Sequence, residues 1–359
     1  MTAAGAADAR ELRIVVGVPP GSAAQSGVEA FAADRAARTG GGLTVRIFPP
    51  SLLDLVQTFG GIRDGIVDGG YLVLNFHSAD LRETQVPIEL AMLGRNPYAM
   101  AGAMSEYILT CEPRVAERLA ANMVPLGNAS TGAYAILGTA PMTTPAELQC
   151  KKLRAAGGAW SRWAAAMGAV GVSLPGGEIF EAMSQRTING AMNAPTELTS
   201  IRLKDVPTHV TLGVPGGTVH GLDIASANRD TWRSLTTGQR QASIDAAALG
   251  NASATWKFVT DVVRNVADAR AAGIVVSEAS PELKAASQAV IEADLAKIAK
   301  IAADTHGVQD AEAKIARFRD LVTKREGLLP GDRGWTAAEI AEVFRAEIYS
   351  KIDAATFGM

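Results

Sequence analysis

Cysteine is nearly absent. Cys111 and Cys150 are the only two in 359 residues, and no C-x-x-C occurs, so a structural zinc site or a thioredoxin-like motif is unsupported. The four histidines, His77, His209, His220 and His306, are far apart and form no H-E-x-x-H, which argues against a histidine-rich metal site. No surplus of one charge exists: 34 Lys+Arg face 37 Asp+Glu, a net charge of −3. A dedicated nucleic-acid binder normally carries a basic surplus or face. No apolar run reaches the roughly 18 residues of a membrane helix. There is no G-x-x-x-x-G-K-[ST], no G-x-G-x-x-G after a strand and no G-x-S-x-G, so nucleotide and serine-hydrolase chemistry lack their usual signatures. Met1 to Arg10 is Ala-rich and polar without a basic-then-apolar start, so no signal peptide is read here. That fits either a cytosolic start or a mature form with an initiator Met. Aromatic residues make up only 5%, and few of them in a binding cleft would favour a small ligand.

What is present reads as globular: 48% hydrophobic and 20% charged residues, in a chain long enough for two domains. Residues 12–18 read as a buried strand, broken by Pro19-Pro20-Gly21. Ser22 caps a helix to about Arg38. Residues 43–48 alternate as a second strand, a helix follows from about Asp54, and 70–75 form a third strand. This β-α-β-α-β pattern predicts a parallel sheet with covering helices. The pattern recurs at 151–155, 159–167, 170–174, 178–185 and the strand after Gly190. The helix-to-strand turn Gly65-Ile66-Val67-Asp68-Gly69 has its counterpart in Arg186-Thr187-Ile188-Asn189-Gly190. Two similar α/β lobes are expected, with a helical stretch at about 97–122 between them. Further strands are expected at 123–127, 133–138, 208–213 and 219–226. After Asn228 the chain reads as almost wholly helical: about 236–272, 280–326, and about 336–352. Open α/β sheets bind ligands outside the carboxyl ends of their strands, which draws attention to 18–22, 75–78, 128–132, 155–160 and 193–197.

Four blocks carry a resemblance. They are Gly42-Leu43-Thr44-Val45-Arg46-Ile47-Phe48-Pro49, the turn at 65–69, Thr144-Pro145-Ala146-Glu147-Leu148-Gln149-Cys150-Lys151-Lys152-Leu153-Arg154, and Met167-Gly168-Ala169 with Pro175, Glu178 and Asn189-Gly190-Ala191-Met192-Asn193. Asn228–Trp232 with Leu235 adds a further element. Together they resemble the solute-binding proteins of TRAP (tripartite ATP-independent periplasmic) transporters, the DctP-type family, from about residue 12 to about 300. The third block is similar to that family's T-P-x-D-L-x-G-x-K-h-R signature. Cys150 stands where the family usually has Gly, Met192 and Ala194 where Glu and Pro are usual, and Tyr134 where Arg is common.

The resemblance implies that Arg154 anchors a ligand carboxylate. A planar guanidinium offers paired donors to two carboxylate oxygens, and the pair strengthens when a closing cleft excludes water; without the resemblance an Arg after a strand reads as a surface residue. Asn193 maps onto the family's Asn, with a turn role as the plainer reading. Trp160 is read as a cleft wall, against core packing. Asn75 and His77 fall on the loop after the third strand, Ser130 and Thr131 at a lobe crossing, and Glu197 faces a polar or cationic ligand group or its own helix start. Glu178 reads as a first-turn residue favoured by the helix dipole. Cys111 and Cys150 are either free or, in a periplasmic protein, bridged.

The expected architecture is an α/β, two-lobed periplasmic-binding-protein-like (type II) fold with bracing helices. Lobe I comprises 1–128 and about 220–258, lobe II 129–219 and about 259–326, and 327–359 is a C-terminal helical extension. The resemblance implies a monomeric periplasmic protein, its signal peptide removed. It would capture a small organic acid by hinge closure and serve TRAP permease subunits, with no cofactor, metal, nucleic acid or catalytic set. A ligand sensor for a signalling receptor, or an enzyme on this scaffold, are the rival readings.

Overall fold

The computed structural model describes residues 9–200 and 203–359; the N-terminal reading above lies, through residue 8, outside them. The segment Arg10–Val15 is strand β1, paired in parallel with β2 (Leu43–Phe48) and β3 (Gly69–Val73). Helix Ala23–Arg38 covers them, its N-cap Ser22 accepting from the Gln25 N–H at 3.2 Å. After β4 (Met123–Val124) the chain crosses into a second sheet as β5 (Ala135–Gly138). That sheet is completed by β6 (Lys152–Ala155), β7 (Val170–Ser173), β8 (Gly190–Asn193) and β9 (His209–Leu212). The chain returns as β10 (Leu222–Asn228) and later contributes β11 (Val275–Glu278). The orders are β2-β1-β3-β10-β4 and β11-β9-β5-β8-β6-β7. Each sheet is therefore mixed: β10 runs antiparallel to β3, and β5 antiparallel to β8. The parallel pairing expected from β-α-β-α-β holds within β1–β3, within β6–β8 and for β9 with β11. The antiparallel strand of each sheet is the one that has crossed from the other lobe.

The two matching turns are equivalent in physical detail. Gly65 and Arg186 open them, both left-handed, with φ of 73° and 59°. Three residues on, Asp68 Oδ2 accepts from Arg13 N and Asn189 Oδ1 from Lys152 N, each at 2.8 Å. Gly69 and Gly190 then pass under the antiparallel strand. A Cβ there would lie 2.6 Å from Ser226 O and 2.7 Å from Leu137 O, respectively. The repeat in sequence is a repeat of one strand-entry device.

Helix Thr237–Ala271, 35 residues long, ties the lobes together. It packs closely on helix Ala23–Arg38, where a Cβ at Gly27 would meet Gly250 O at 2.8 Å. Farther along, Asn265 Nδ2 donates to Pro195 O and Thr196 O in the second lobe. The all-helical reading after Asn228 missed β11, which pairs in parallel with β9. The stretch 97–122 is two helices, Pro97–Thr110 and Glu112–Ala120. The stretch 280–326 is three: Pro281–Leu295, Ile298–His306 and Ala311–Leu328. Residues 298–322 also depart from the expected division, because Ile298, Ala302, Phe318 and Val322 share a core with Phe59, Val86 and Tyr107 of the first lobe. The C-terminal segment is clasped to the same lobe. Tyr349 donates to Leu126 O at 3.0 Å, and Trp232 Nε1 to Phe357 O at 2.8 Å. Both cysteines are free thiols, Cys111 buried and Cys150 exposed, so the bridged alternative is overturned.

Candidate ligand-binding site

The segment leading to Arg154 is built by its own sequence. Thr144 Oγ1 accepts from Glu147 N while Glu147 Oε2 accepts from the Thr143 and Thr144 N–H groups, a capping box with Pro145 at the first helical position. Cys150 then turns the chain at φ 61°, a left-handed conformation that explains why glycine suits this position. The chain enters β6, flanked by β7 and β8, with Arg154 in register with Val172 and Ala191. Arg154 is the penultimate residue of its strand, so it stands at the carboxyl end of the sheet.

The residue is buried, 5% exposed. Nε donates to Leu174 O at 3.1 Å, while Nη1 is buried without a partner among the described residues. A buried guanidinium donor left unmade is costly. Tyr134 lies against this guanidinium, which offsets part of the upward push of burial on the phenol. The Tyr134 ring stacks on Trp160 at 4.7 Å, and Trp160 Nε1 donates to Gly216 O at 3.2 Å. Glu197, partly buried, starts the short helix Glu197–Ser200; burial raises its carboxyl pKa, against the Ser200 hydroxyl and the charge of Arg154. From the other lobe, Tyr71 of β3 is buried and its phenol is pushed up, first by burial and then by Glu197 and Tyr134. Arg154, Glu197, Tyr71 and Tyr134 are thus within electrostatic reach of one another across the two lobes.

Asn193 ends β8 opposite Ala135, is buried, and makes no side-chain hydrogen bond among the described residues. Asn75 reaches from the first lobe toward Gly157, where an added Cβ would lie 4.0 Å from its Nδ2. Its Oδ1 is buried and has no partner among the described residues. Arg154, Trp160, Asn193, Asn75 and Glu197 therefore surround one inter-lobe region. His77 does not join them: it stacks on Phe59 at 4.4 Å inside the first lobe, with Arg118 and Asp80 as its charged neighbours. Ser130 and Thr131 serve the lobe crossing. Ser130 N donates to Thr255 Oγ1, and Thr131 exchanges two hydrogen bonds with Val219. Sequence reasoning passed over Tyr71 and noted Tyr134 only as a departure from the family pattern. With Trp160 these rings stand together beside Arg154 and Glu197.

Beside the site, the lobes meet through charge. Arg162, on helix Gly158–Ala166, is held by Asp294 at 2.6 Å and reaches Glu89 of the first lobe at 2.9 Å. Among the described residues no cluster of His, Cys, Asp and Glu suits a metal ion, and no helix is long and apolar enough to cross a membrane.

No curated protein sequence matches the chain. Among solved structures, a marine-metagenome TRAP solute-binding protein from an unidentified microbe, specific for aromatic acid ligands and in complex with metahydroxyphenylacetate, is similar at a TM-score of 0.77. It is 19% identical, with 88% of this chain and 99% of that chain covered. A Bordetella bronchiseptica TRAP periplasmic solute-binding protein with bound (R)- and (S)-mandelate is similar at a TM-score of 0.72 and 21% identity, covering 88% and 99%. One from Roseobacter denitrificans with bound β-D-glucuronate has a TM-score of 0.70 and 18% identity, covering 86% and 99%. Residues 15–301 match the model of a family described as bacterial extracellular solute-binding protein, family 7. That match covers well over half of the chain, which therefore belongs to this solute-binding family, DctP.

Proposed function

We propose that the protein captures a small organic carboxylate between its lobes by hinge closure, in the periplasm and as a monomer, and delivers it to TRAP permease subunits in the membrane. The observation that carries this is the buried Nη1 of Arg154, a charged donor without a partner among the described residues, at the carboxyl end of a strand. A carboxylate supplies the missing acceptor and the compensating charge. Asn193 and Asn75 complete the polar shell from the two lobes, Trp160 with Tyr134 forms an apolar wall, and Glu197 bounds the far side. Ser130 and Thr131 support the crossing that must flex. The acids bound by the similar structures agree with an anion-binding cleft.

The test is a thermal-shift panel of mono- and dicarboxylates on the wild type and on Arg154→Lys, with mass spectrometry of the denatured protein for co-purified acids. A ligand that binds only the folded state raises the melting temperature by mass action. The expected result is a shift for a carboxylate that is lost in Arg154→Lys. An undiminished shift in the variant would refute the role of Arg154, and no bound or co-purified acid would refute the reading.

A further inference from the structure

Arg154 and Glu197 carry opposite charges in one site, yet no ion pair within 4.0 Å joins them among the described residues. Glu197 Oε2 accepts from Ser200 Oγ at 2.7 Å, while Arg154 has its buried Nη1 free. Opposite charges close together gain by direct contact. Leaving them apart suits a molecule that satisfies both ends. The end at Arg154 is an anion. The end at Glu197 faces a carboxyl group that accepts hydrogen bonds and repels a second anion. The flat face formed by Tyr134 on Trp160 lies alongside.

We infer that Glu197 determines specificity, and that the ligand is a monocarboxylate bearing a hydrogen-bond donor, a hydroxyl or an ammonium group, directed at Glu197. Dicarboxylates are excluded by the same residue. This rests on the carboxylate-capture reading above and adds to it the chemistry of the ligand's other end.

Titration calorimetry tests it on two matched sets. One is ring-bearing: 3-hydroxyphenylacetate, 3-(aminomethyl)phenylacetate, phenylacetate and 3-carboxyphenylacetate. The other is aliphatic: 4-hydroxybutyrate, 4-aminobutyrate, butyrate and succinate. In whichever set binds, the donor-bearing acid is expected to bind at least about tenfold more tightly than the dicarboxylate, as a buried like-charge pair would impose. In Glu197→Gln the two should converge to within about threefold, because the dicarboxylate gains and the donor loses its charged acceptor. Glu197→Asp, which keeps the charge, should keep the discrimination and serves as the folding control. Whether the hydroxyl or the ammonium member weakens more in Glu197→Gln identifies the donor. Equal binding of the dicarboxylate by the wild type, or a preference that survives Glu197→Gln, overturns the inference while leaving carboxylate capture standing. Binding of no acid in either set overturns both.

Discussion

Replacing Glu89 by Gln should weaken ligand binding without touching the ligand. Glu89 sits at the end of helix Arg82–Glu89 in the first lobe, and its carboxylate meets Arg162 of the second at 2.9 Å. Asp294 holds the same guanidinium at 2.6 and 2.9 Å. It belongs to helix Pro281–Leu295, which packs on Arg162's own helix and so orients Arg162. Glu89 also lies over the start of Arg162's helix, 3.2 Å from where a Cβ of Gly158 would be. The side chains are 29% and 12% exposed, between a free surface pair and a buried one. Surface pairs contribute about 0.2–1 kcal/mol, and hydrogen bonds to charged groups about 1.5–3 kcal/mol. Gln keeps a weaker neutral hydrogen bond, so a loss of about 1.5 kcal/mol from the closed form is expected, which is about tenfold in an equilibrium constant. If the ligand-free protein is mostly open, this loss passes fully into the apparent Kd and is seen mainly in a faster off-rate. Stopped-flow and calorimetric measurements at low and high salt would check it, since salt screens a half-exposed pair. Asp294→Asn should have a smaller effect. A Kd for Glu89→Gln within twofold of wild type at low salt would refute the reasoning.

Cys150→Gly should raise stability by up to about 1 kcal/mol, because it relieves a left-handed residue at an exposed position; urea midpoints would show it. His77 has its pKa lowered to about 4 by burial and by Arg118, so folding excludes its proton. The stability this gives is present above about pH 6.5 and lost as pH falls toward 4, by roughly 2 kcal/mol at pH 4.5. His77→Phe should remove that share of the acid destabilisation, while His220, also lowered to about 4, keeps its own; equal acid slopes would refute this. A thiol reagent should modify one cysteine in the native protein, Cys150, and the second only on unfolding.

The parts of the fold that a sequence shows are those fixed by near neighbours. The turns at 65–69 and 186–190 were legible because left-handed backbone, a polar cap and a glycine recur at fixed spacing, and the capping box before Arg154 is a local motif too. β11 was missed because Val275–Glu278 is four residues long and becomes a strand only by pairing with β9. The stretch 280–326 keeps helical composition throughout, and its break at Gly307, with φ 68°, was the overlooked signal. Pro113 likewise marked the break after Thr110. In the site, Arg154, Trp160 and Asn193 lie beside recognisable motifs, whereas Tyr71 and Tyr134 meet only because two lobes meet. His77 was expected at the cleft because a strand was read through Asn75. The strand ends at Val73, and the 3₁₀ turn Leu74–Phe76 carries His77 inward onto Phe59.

The long helix makes release abrupt. It is fixed to the first lobe near Gly250, and at Asn265 it carries the 195–199 loop, on which Glu197 sits. Fifteen residues separate those points, a lever of about 22 Å at a rise of about 1.5 Å per residue. A swing of about 10° about the upper point would carry the slung loop about 4 Å, while Tyr71 and Asn75 stay behind with the first lobe. That exceeds the length of a hydrogen bond. A slightly ajar molecule would therefore not be a weaker binder by degrees. It would have let go of half the ligand's surroundings at once, so cargo is either held or dropped, with little between.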